Sequence, residues 1–429
     1  ISASCKNRPS TVYRRIKGRI MDSKTLVYLE LATDQIFYVN GFKKDVIEPY
    51  LVDNWQPMGL YAVWDEFDKI YRKTSKIPKT EKFFYPIVVS LWEVREVFDQ
   101  ITISPKIVQR IKDGQCKVIL INPFEGWTWS WWDELATILQ TKFNISADSI
   151  VFMSGNYYPN PKYKTVVFNT WERQICANYY TDEHYDNSMS HVADTRPNKF
   201  ICLNRRPSIH RHAVVASLYD LRDQGILTSA LNGSYNEWYR NWVEENFLHN
   251  YPELSDKYTT DIKPNLPLTF DDGLNPEIDN PAANEWGKTE KYYSSYLYIV
   301  TETFFEGMAQ GENTLFLSEK IFKPMIFLQP FVVFGCPGTI NLLHKLGYKT
   351  FGDYIDESYD SIENDKHRLL KAVESVKEFI NLPQDTLTQH MISMKSIFQH
   401  NYDLLKTNHD FNIFNNLKAD LYNCLHGEH

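Results

Sequence analysis

Short unbroken runs of apolar residues punctuate this chain, and they restrict its fold more than any other feature. The runs are Cys-Lys-Val-Ile-Leu-Ile-Asn at 116–122, Ser-Ile-Val-Phe-Met-Ser at 149–154, Lys-Phe-Ile-Cys-Leu-Asn at 199–204, Tyr-Leu-Tyr-Ile-Val-Thr at 296–301 and Pro-Phe-Val-Val-Phe at 330–334. Each is short for a helix and lacks polar alternation, which is the pattern of a strand buried on both faces of a parallel sheet. A further strand is expected over 83–92. Helical patterns lie between them. The one at 107–114 closes on Gly114, the one at 131–139 carries Leu135, Ile138 and Leu139, another runs over 208–224 and stops at Gly225, and one begins at Ser318. Strand, helix, strand at this spacing is a βαβ unit, so the fold class is α/β. From 361 onward helical patterning dominates, at 369–380, 387–405 and 411–425, whereas 264–287 is rich in Pro, Asn, Asp and Gly and reads as a long loop.

A chain of 429 residues exceeds one ordinary core, so two domains are the default. The polar, aperiodic stretch at 182–199 is the expected boundary. The net charge of −8 gives no overall attraction to nucleic acid or membrane. A local exception is the basic run Lys6, Arg8, Arg14, Arg15, Lys17 and Arg19, either a solvated face or a phosphate-binding arm. Cys5, Cys116, Cys176, Cys202, Cys336 and Cys424 are scattered without a Cys-x-x-Cys pair, which points to reduced thiols, a cytoplasmic location and no zinc site. No apolar run reaches the roughly 18 residues needed to span a bilayer.

Four constellations carry chemistry. Asn204-Arg205-Arg206-Pro207-Ser208, with His210 and Arg211, follows a buried strand and opens a helix. Ligands of open α/β sheets bind at that place, and arginine forks onto phosphate oxygens with two donors. Ser318, Glu319, Lys320 and Lys323 lie at the start of a second helix. Cations there oppose the helix dipole, so an anion such as a diphosphate would compensate them, and Glu319 could accept from ribose hydroxyls; the bland reading is an exposed Glu-Lys couple. After the strand at 116–122 come Glu125, Gly126 and Trp127, then Asp133 and Glu134. Glu125 is the candidate general base, and Trp127, Trp129, Trp131 and Trp132 could stack on a sugar or simply fill the core. Asp353, Asp356, Glu357 and Asp360 could bind sugar hydroxyls or cap the next helix. There is no phosphate-binding Gly-x-x-x-x-Gly-Lys loop, no Gly-x-Gly-x-x-Gly fingerprint, no His-Glu-x-x-His and no Asp-x-Asp.

The segment from Tyr296 to Glu302, followed by Ser318-Glu319-Lys320 and then Gln329-Pro-Phe-Val-Val-Phe-Gly335, resembles the donor-binding motif of the α-1,3-fucosyltransferases. With Gly338, Leu346-Gly-Tyr-Lys-Thr-Phe351 and Asp356-Glu-Ser-Tyr-Asp360 added, it also looks like glycosyltransferase-like proteins of large bacteriophages. The resemblance covers roughly 199–362; the N-terminal half matches loosely, at Glu125-Gly126 and Ser154-Gly155-Asn156. It implies a GT-B architecture: two Rossmann-like domains, a cleft between them, and a final helix crossing back. The implied units are an acceptor-binding domain over 1–195, a nucleotide-sugar domain over 196–385 and C-terminal helices over 386–429. By position, Glu319 would contact ribose, Lys320 the diphosphate, and Arg205 or Arg211 a phosphate, with Asn204, Arg206, Ser318 and Lys323 nearby. Glu302 matches a family Glu, but Thr303 stands where the family has Asn, and Ser318 where it has Thr.

The implied reaction is inverting, metal-independent transfer from a UDP- or GDP-linked sugar to an acceptor hydroxyl, with no other cofactor. Trp127, Asp133 and Glu134 would face the acceptor, which is a glycan or a hydroxymethylated base in phage DNA. In the viral case the location is the host cytoplasm. Two other readings stand beside it: a non-catalytic nucleotide- or carbohydrate-binding protein on the same scaffold, and a structural virion protein whose aromatics serve an interface.

Overall fold

The computed structural model describes residues 29–32, 37–39, 71–74, 82–89, 101, 103–122, 126, 129–169, 171–172, 182–204, 206–229, 237–268, 290–306, 314–407 and 413–426. Glu125, Trp127, Arg205, the basic run at 6–19, Cys5, Cys176 and most of the loop at 264–287 lie outside the described residues.

The first sheet is seven-stranded. Its strands are β1 (Leu29–Ala32), β2 (Phe37–Val39), β3 (Tyr71–Thr74), β4 (Phe83–Val89), β5 (Cys116–Asn122), β6 (Ile150–Ser154) and β7 (Lys164–Val167). They run in the order β3-β1-β4-β5-β6-β7, with β2 also on β4, and every pairing is parallel. Helix α1 (Pro105–Lys112) starts where the Ser104 hydroxyl accepts from the Ile107 N–H. It ends at Gly114, whose φ of 71° places it in the left-handed region that favours glycine. Helix α2 (Trp129–Phe143) turns Trp129, Trp132, Leu135, Ala136 and Leu139 into the core. Trp132 lies 5.0 Å from the Phe152 ring and Trp129 is stacked on it at 6.1 Å. Those two tryptophans are therefore core residues and not a sugar platform.

The second sheet has four parallel strands, β8 (Asn198–Cys202), β9 (Gly225–Leu227), β10 (Ser295–Thr301) and β11 (Phe331–Phe334), in the order β11-β10-β8-β9. Every residue of β10 is buried, as its unbroken apolar run requires. The chain leaves β8 toward β9 on one side and then returns past it to β10 on the other. Such a reversal opens a crevice at the carboxyl ends of the two central strands, where doubly wound sheets bind ligands. Helices α3 (Asp182–Ser190), α4 (Ile209–Leu218), α5 (Glu237–Asn250), α6 (Glu319–Ile326), α7 (Thr339–Lys345) and α8 (Asp365–Ile380) belong to this half.

Two features depart from the sequence expectation. The stretch at 182–199 is not an aperiodic linker. Its first part is α3, which Tyr185 fastens against Tyr402 and Ser188 against the Tyr293 hydroxyl, so polar and aromatic contacts hold a helix that carries little apolar pattern. The segment 386–429 divides. Helices α9 (Gln384–Ser393) and α10 (Lys395–Thr407), with Met394 between them, bury Leu387, Met391, Met394, Phe398, Tyr402 and Leu405 in the second core, whereas α11 (Ile413–His426) returns to pack on β7 of the first sheet. Two parallel α/β domains with a final helix crossing back make the architecture GT-B-like in layout.

Candidate functional site

The carboxyl ends of β8 and β10 carry a cluster of buried polar side chains that includes Asn204, Thr301, Glu302 and, from the neighbouring helices, His210, Arg211 and Ser318. After β8 the chain enters α4 through Ser208. After β10 it passes Glu302 and Thr303, and it later enters α6 through Ser318. Glu302 is fully buried, yet its carboxylate accepts three hydrogen bonds. The Ser318 N–H donates to Oε1 at 3.1 Å, and the Ser318 hydroxyl and Thr303 N–H donate to Oε2 at 2.6 and 3.0 Å. Burial raises its pKa, while Lys320 and the Ser318 hydroxyl oppose that rise. Ser318 is thus an N-cap that is itself held from below.

Lys320 directs its ammonium to three oxygens: Thr303 Oγ1 at 3.2 Å, Ser318 Oγ at 3.1 Å and Glu319 Oε1 at 2.9 Å. An ammonium has three donors, so this geometry occupies it fully. Glu319 and Lys320 remain about a quarter exposed, at 25% and 24% of their side chains. Burial alone would raise the Glu319 pKa; Lys320 and then Lys323 outweigh it and hold the carboxyl at about 2. Lys323, one turn further on, is only 8% exposed. Burial, reinforced by Lys320, brings its pKa down to about 8 despite the attraction of Glu319.

On the other side of the Glu302–Thr303 turn stands Arg211, on α4. Its Nη2 donates to the Thr301 and Glu302 carbonyls at 3.2 and 3.1 Å, and its Nη1 to the Arg206 carbonyl at 3.2 Å. His210 donates from Nε2 to the same Glu302 carbonyl at 3.0 Å, and burial together with Arg211 keeps the imidazole neutral. Its ring stacks on Phe305 at 5.1 Å, and the Arg368 guanidinium covers Phe305 at 4.4 Å. Asn204 accepts from the Thr301 hydroxyl at 2.7 Å, tying β8 to β10.

Arg211 and Lys320 both hydrogen-bond the turn at 301–303, Arg211 through the Thr301 and Glu302 carbonyls and Lys320 through Thr303 Oγ1, with Glu319 on the Lys320 ammonium. Other expected contacts serve the scaffold. The Asn204 amide and the Glu302 carboxylate are occupied inside the fold, and Arg211 holds backbone carbonyls. Arg206 is exposed, and its carbonyl is one of those that Arg211 holds. Asp133 accepts from Asn160 at 2.8 Å and Lys162 at 2.5 Å, which fastens α2 to the β6–β7 connection, and Glu134 is an exposed residue of α2. Within the acidic cluster, Asp360 accepts from the Ile340 and Asn341 N–H groups of α7, the preceding helix, and Glu357 from the Phe351 N–H, while the next helix, α8, is capped by Asn364. Thr303, noted in the sequence only as standing where the family has Asn, supplies one of the three oxygens around the Lys320 ammonium.

The first domain reaches this site through the segment 314–318. The Leu315 N–H donates to Asn156 Oδ1 at 3.0 Å, and its carbonyl accepts from the Tyr157 N–H at 2.8 Å. The Asn169 amide donates to the Leu317 carbonyl at 2.7 Å. Gly126, beyond β5, lies so close to Phe316 that a Cβ there would overlap its side chain. Loops after β5, β6 and β7 thus meet the entry to α6, so the carboxyl edges of the two sheets face each other. Among the described residues no group of three or more His, Cys, Asp or Glu side chains could hold a metal ion, and no helix is long and apolar enough to cross a membrane.

No family model matches the chain, and no curated protein does. Solved structures with a similar course of chain include α,α-trehalose 6-phosphate synthase from Burkholderia multivorans, 8% identical, covering 86% of this chain and 80% of that one at a TM-score of 0.36. The UDP-forming α,α-trehalose-phosphate synthase from Burkholderia vietnamiensis is 8% identical over 86% of this chain and 84% of its own, with a TM-score of 0.36. The N-terminal domain of Candida albicans trehalose-6-phosphate phosphatase is 10% identical over 86% and 74%, with a TM-score of 0.39. These values describe a loose likeness of chain course alone.

Proposed function

We propose that this chain is an inverting, metal-independent glycosyltransferase that moves a sugar from a UDP- or GDP-linked donor to an acceptor hydroxyl. One observation carries the reading: Arg211 and Lys320 converge from α4 and α6 on the Glu302–Thr303 turn, at the carboxyl ends of the two central strands of a doubly wound sheet. That is where such sheets receive phosphates. The resemblance to α-1,3-fucosyltransferases gives Glu319 and Lys320 the ribose and diphosphate contacts. In this reading diphosphate oxygens replace the Glu319 carboxylate as the partner of the Lys320 ammonium, and Glu319, so released, accepts from the ribose hydroxyls. Charge on the departing diphosphate is then met by fixed cations. Glu125 serves as the base and Trp127 faces the acceptor; these assignments come from sequence position. Residues 1–195 bind the acceptor and 196–385 the donor. The acceptor is a glycan or a hydroxymethylated DNA base, and duplex binding that weakens steeply with salt selects the second.

A thermal-shift panel of sugar nucleotides tests the donor site. Stabilisation should follow RT ln(1 + [L]/Kd), about 2.7 kcal/mol at a hundredfold excess over Kd. Lys320→Ala should abolish it. If several donors still stabilise that variant as fully as the wild type, the assignment of Lys320 is wrong.

A further inference from the structure

The segment 314–318 has no regular secondary structure, so its few hydrogen bonds decide where it lies. Both backbone groups of Leu315 are taken by the first domain, through Asn156 and Tyr157, and the Leu317 carbonyl by Asn169. The next residue is Ser318, whose N–H and hydroxyl are taken by Glu302 of the second domain and whose Oγ receives Lys320. Alternate residues are gripped from one domain and the last from the other.

Asn156 and Asn169 are both buried, at 0% and 5% exposure. Each is braced within its own loop: Asn156 Oδ1 also accepts from the Tyr158 N–H at 3.0 Å, and Asn169 Oδ1 accepts from the Trp171 N–H at 2.9 Å. Neither reaches Lys320. Both are placed to fix the strand of chain that delivers it.

We infer that Asn156 and Asn169, in the first domain, are positioning residues for the anion site of the second domain, acting through the strap 314–318 on Ser318 and Lys320. The inference rests on the proposed donor site for its binding readout. It means that donor affinity depends on residues that never touch the donor, and that the seating of the first domain is read directly at the phosphate-binding helix.

The two asparagines use opposite ends of the same amide, and this makes the test specific. Asn156 offers an acceptor to two N–H groups, so Asn156→Asp keeps the function and Asn156→Leu removes it. Asn169 offers a donor to a carbonyl, so Asn169→Asp removes it. Titrating UDP, GDP and inorganic pyrophosphate calorimetrically, we expect Asn156→Leu and Asn169→Asp to bind about tenfold more weakly, within the roughly 2- to 30-fold range of indirect coupling. Asn156→Asp should stay near the wild type. Equal affinities in all four proteins, or loss in Asn156→Asp with retention in Asn169→Asp, overturn the inference. Hydrogen exchange on the unliganded wild type gives a second measurement that needs neither ligand nor variant. The amides of Leu315, Ser318 and Lys320 should open together, as one cooperative unit. Rates for Ser318 and Lys320 more than about tenfold slower than that of Leu315, after correction for intrinsic exchange, overturn it. A wild type that binds none of the three probes removes the donor reading and leaves the exchange result to decide the strap.

Discussion

Replacing Lys323 by methionine should make this protein more stable and a poorer binder of anions. The side chain is 8% exposed, and burial brings its pKa from the ordinary 10.5 to about 8, with Lys320 adding to the fall and Glu319 resisting it. At about 1.4 kcal/mol per pH unit, keeping the ammonium charged at pH 7 costs the fold roughly 3 kcal/mol. Methionine has a similar length, no charge and enough flexibility to fill the same space. It forfeits the attraction to Glu319 and whatever hydrogen bonds the amine makes, so the expected net gain is about 1–3 kcal/mol, in line with apolar replacement of buried ions elsewhere. For a domain of this size that is a rise in Tm of roughly 2–10 °C. The pH dependence carries the sharper signature. The unfolded lysine keeps its proton up to 10.5 and the folded one releases it above about 8, so wild-type stability gains from this group as pH rises between those values. Below 8 both forms are protonated and the cost is present in full. Denaturant melts of both proteins at pH 7 and pH 10 should therefore show a gap in favour of the methionine variant that narrows at pH 10. A variant less stable than the wild type at pH 7, with a gap that does not change, refutes the reasoning.

Glu319 should behave in the opposite sense. Lys320 and Lys323 overcome its burial and hold the carboxyl at about 2, so its contribution is complete above the unfolded value near 4.3 and is lost as pH falls toward 2. Glu319→Gln should flatten acid unfolding over that window by about 1–2 kcal/mol, once its quarter exposure is allowed for; melts that fall as steeply as the wild type's would refute it. Gly126→Ala should lower stability by about 1–3 kcal/mol, because the new methyl overlaps Phe316, and Phe316→Ala should recover part of that loss in chemical denaturation.

The central strands were legible because they are buried on both faces. The runs at 116–122 and 296–301 became β5 and β10, since short, mostly apolar segments rich in Val and Ile and bounded by turn signals suit strands buried on both faces. Ser318 was legible as a cap for a local reason, a hydroxyl just ahead of a helical pattern. Helix α3 was not, because Tyr185 and Ser188 fasten it through partners at 402 and 293 that no local window contains. Glu302 shows the same limit inside the site. Its match to a Glu of the fucosyltransferase donor motif implied a donor contact, and in the fold its carboxylate is taken by Ser318, sixteen residues away. Asn156 showed only as part of the loosely matched Ser154-Gly155-Asn156, and Asn169 not at all, because their partners at 315 and 317 are more than a hundred residues away in sequence.

The return of α11 to β7 orders events during synthesis. Leu417, Leu421, Cys424 and Leu425 of that helix are buried, so part of the first domain's cover is supplied by the last described residues of the chain. Between Val167 and Ile413 the ribosome must add 246 residues. At the usual pace of translation that takes roughly 10–50 s. For that interval the surface of β7 that α11 covers in the folded protein has no such cover, because the helix that supplies it is not yet made.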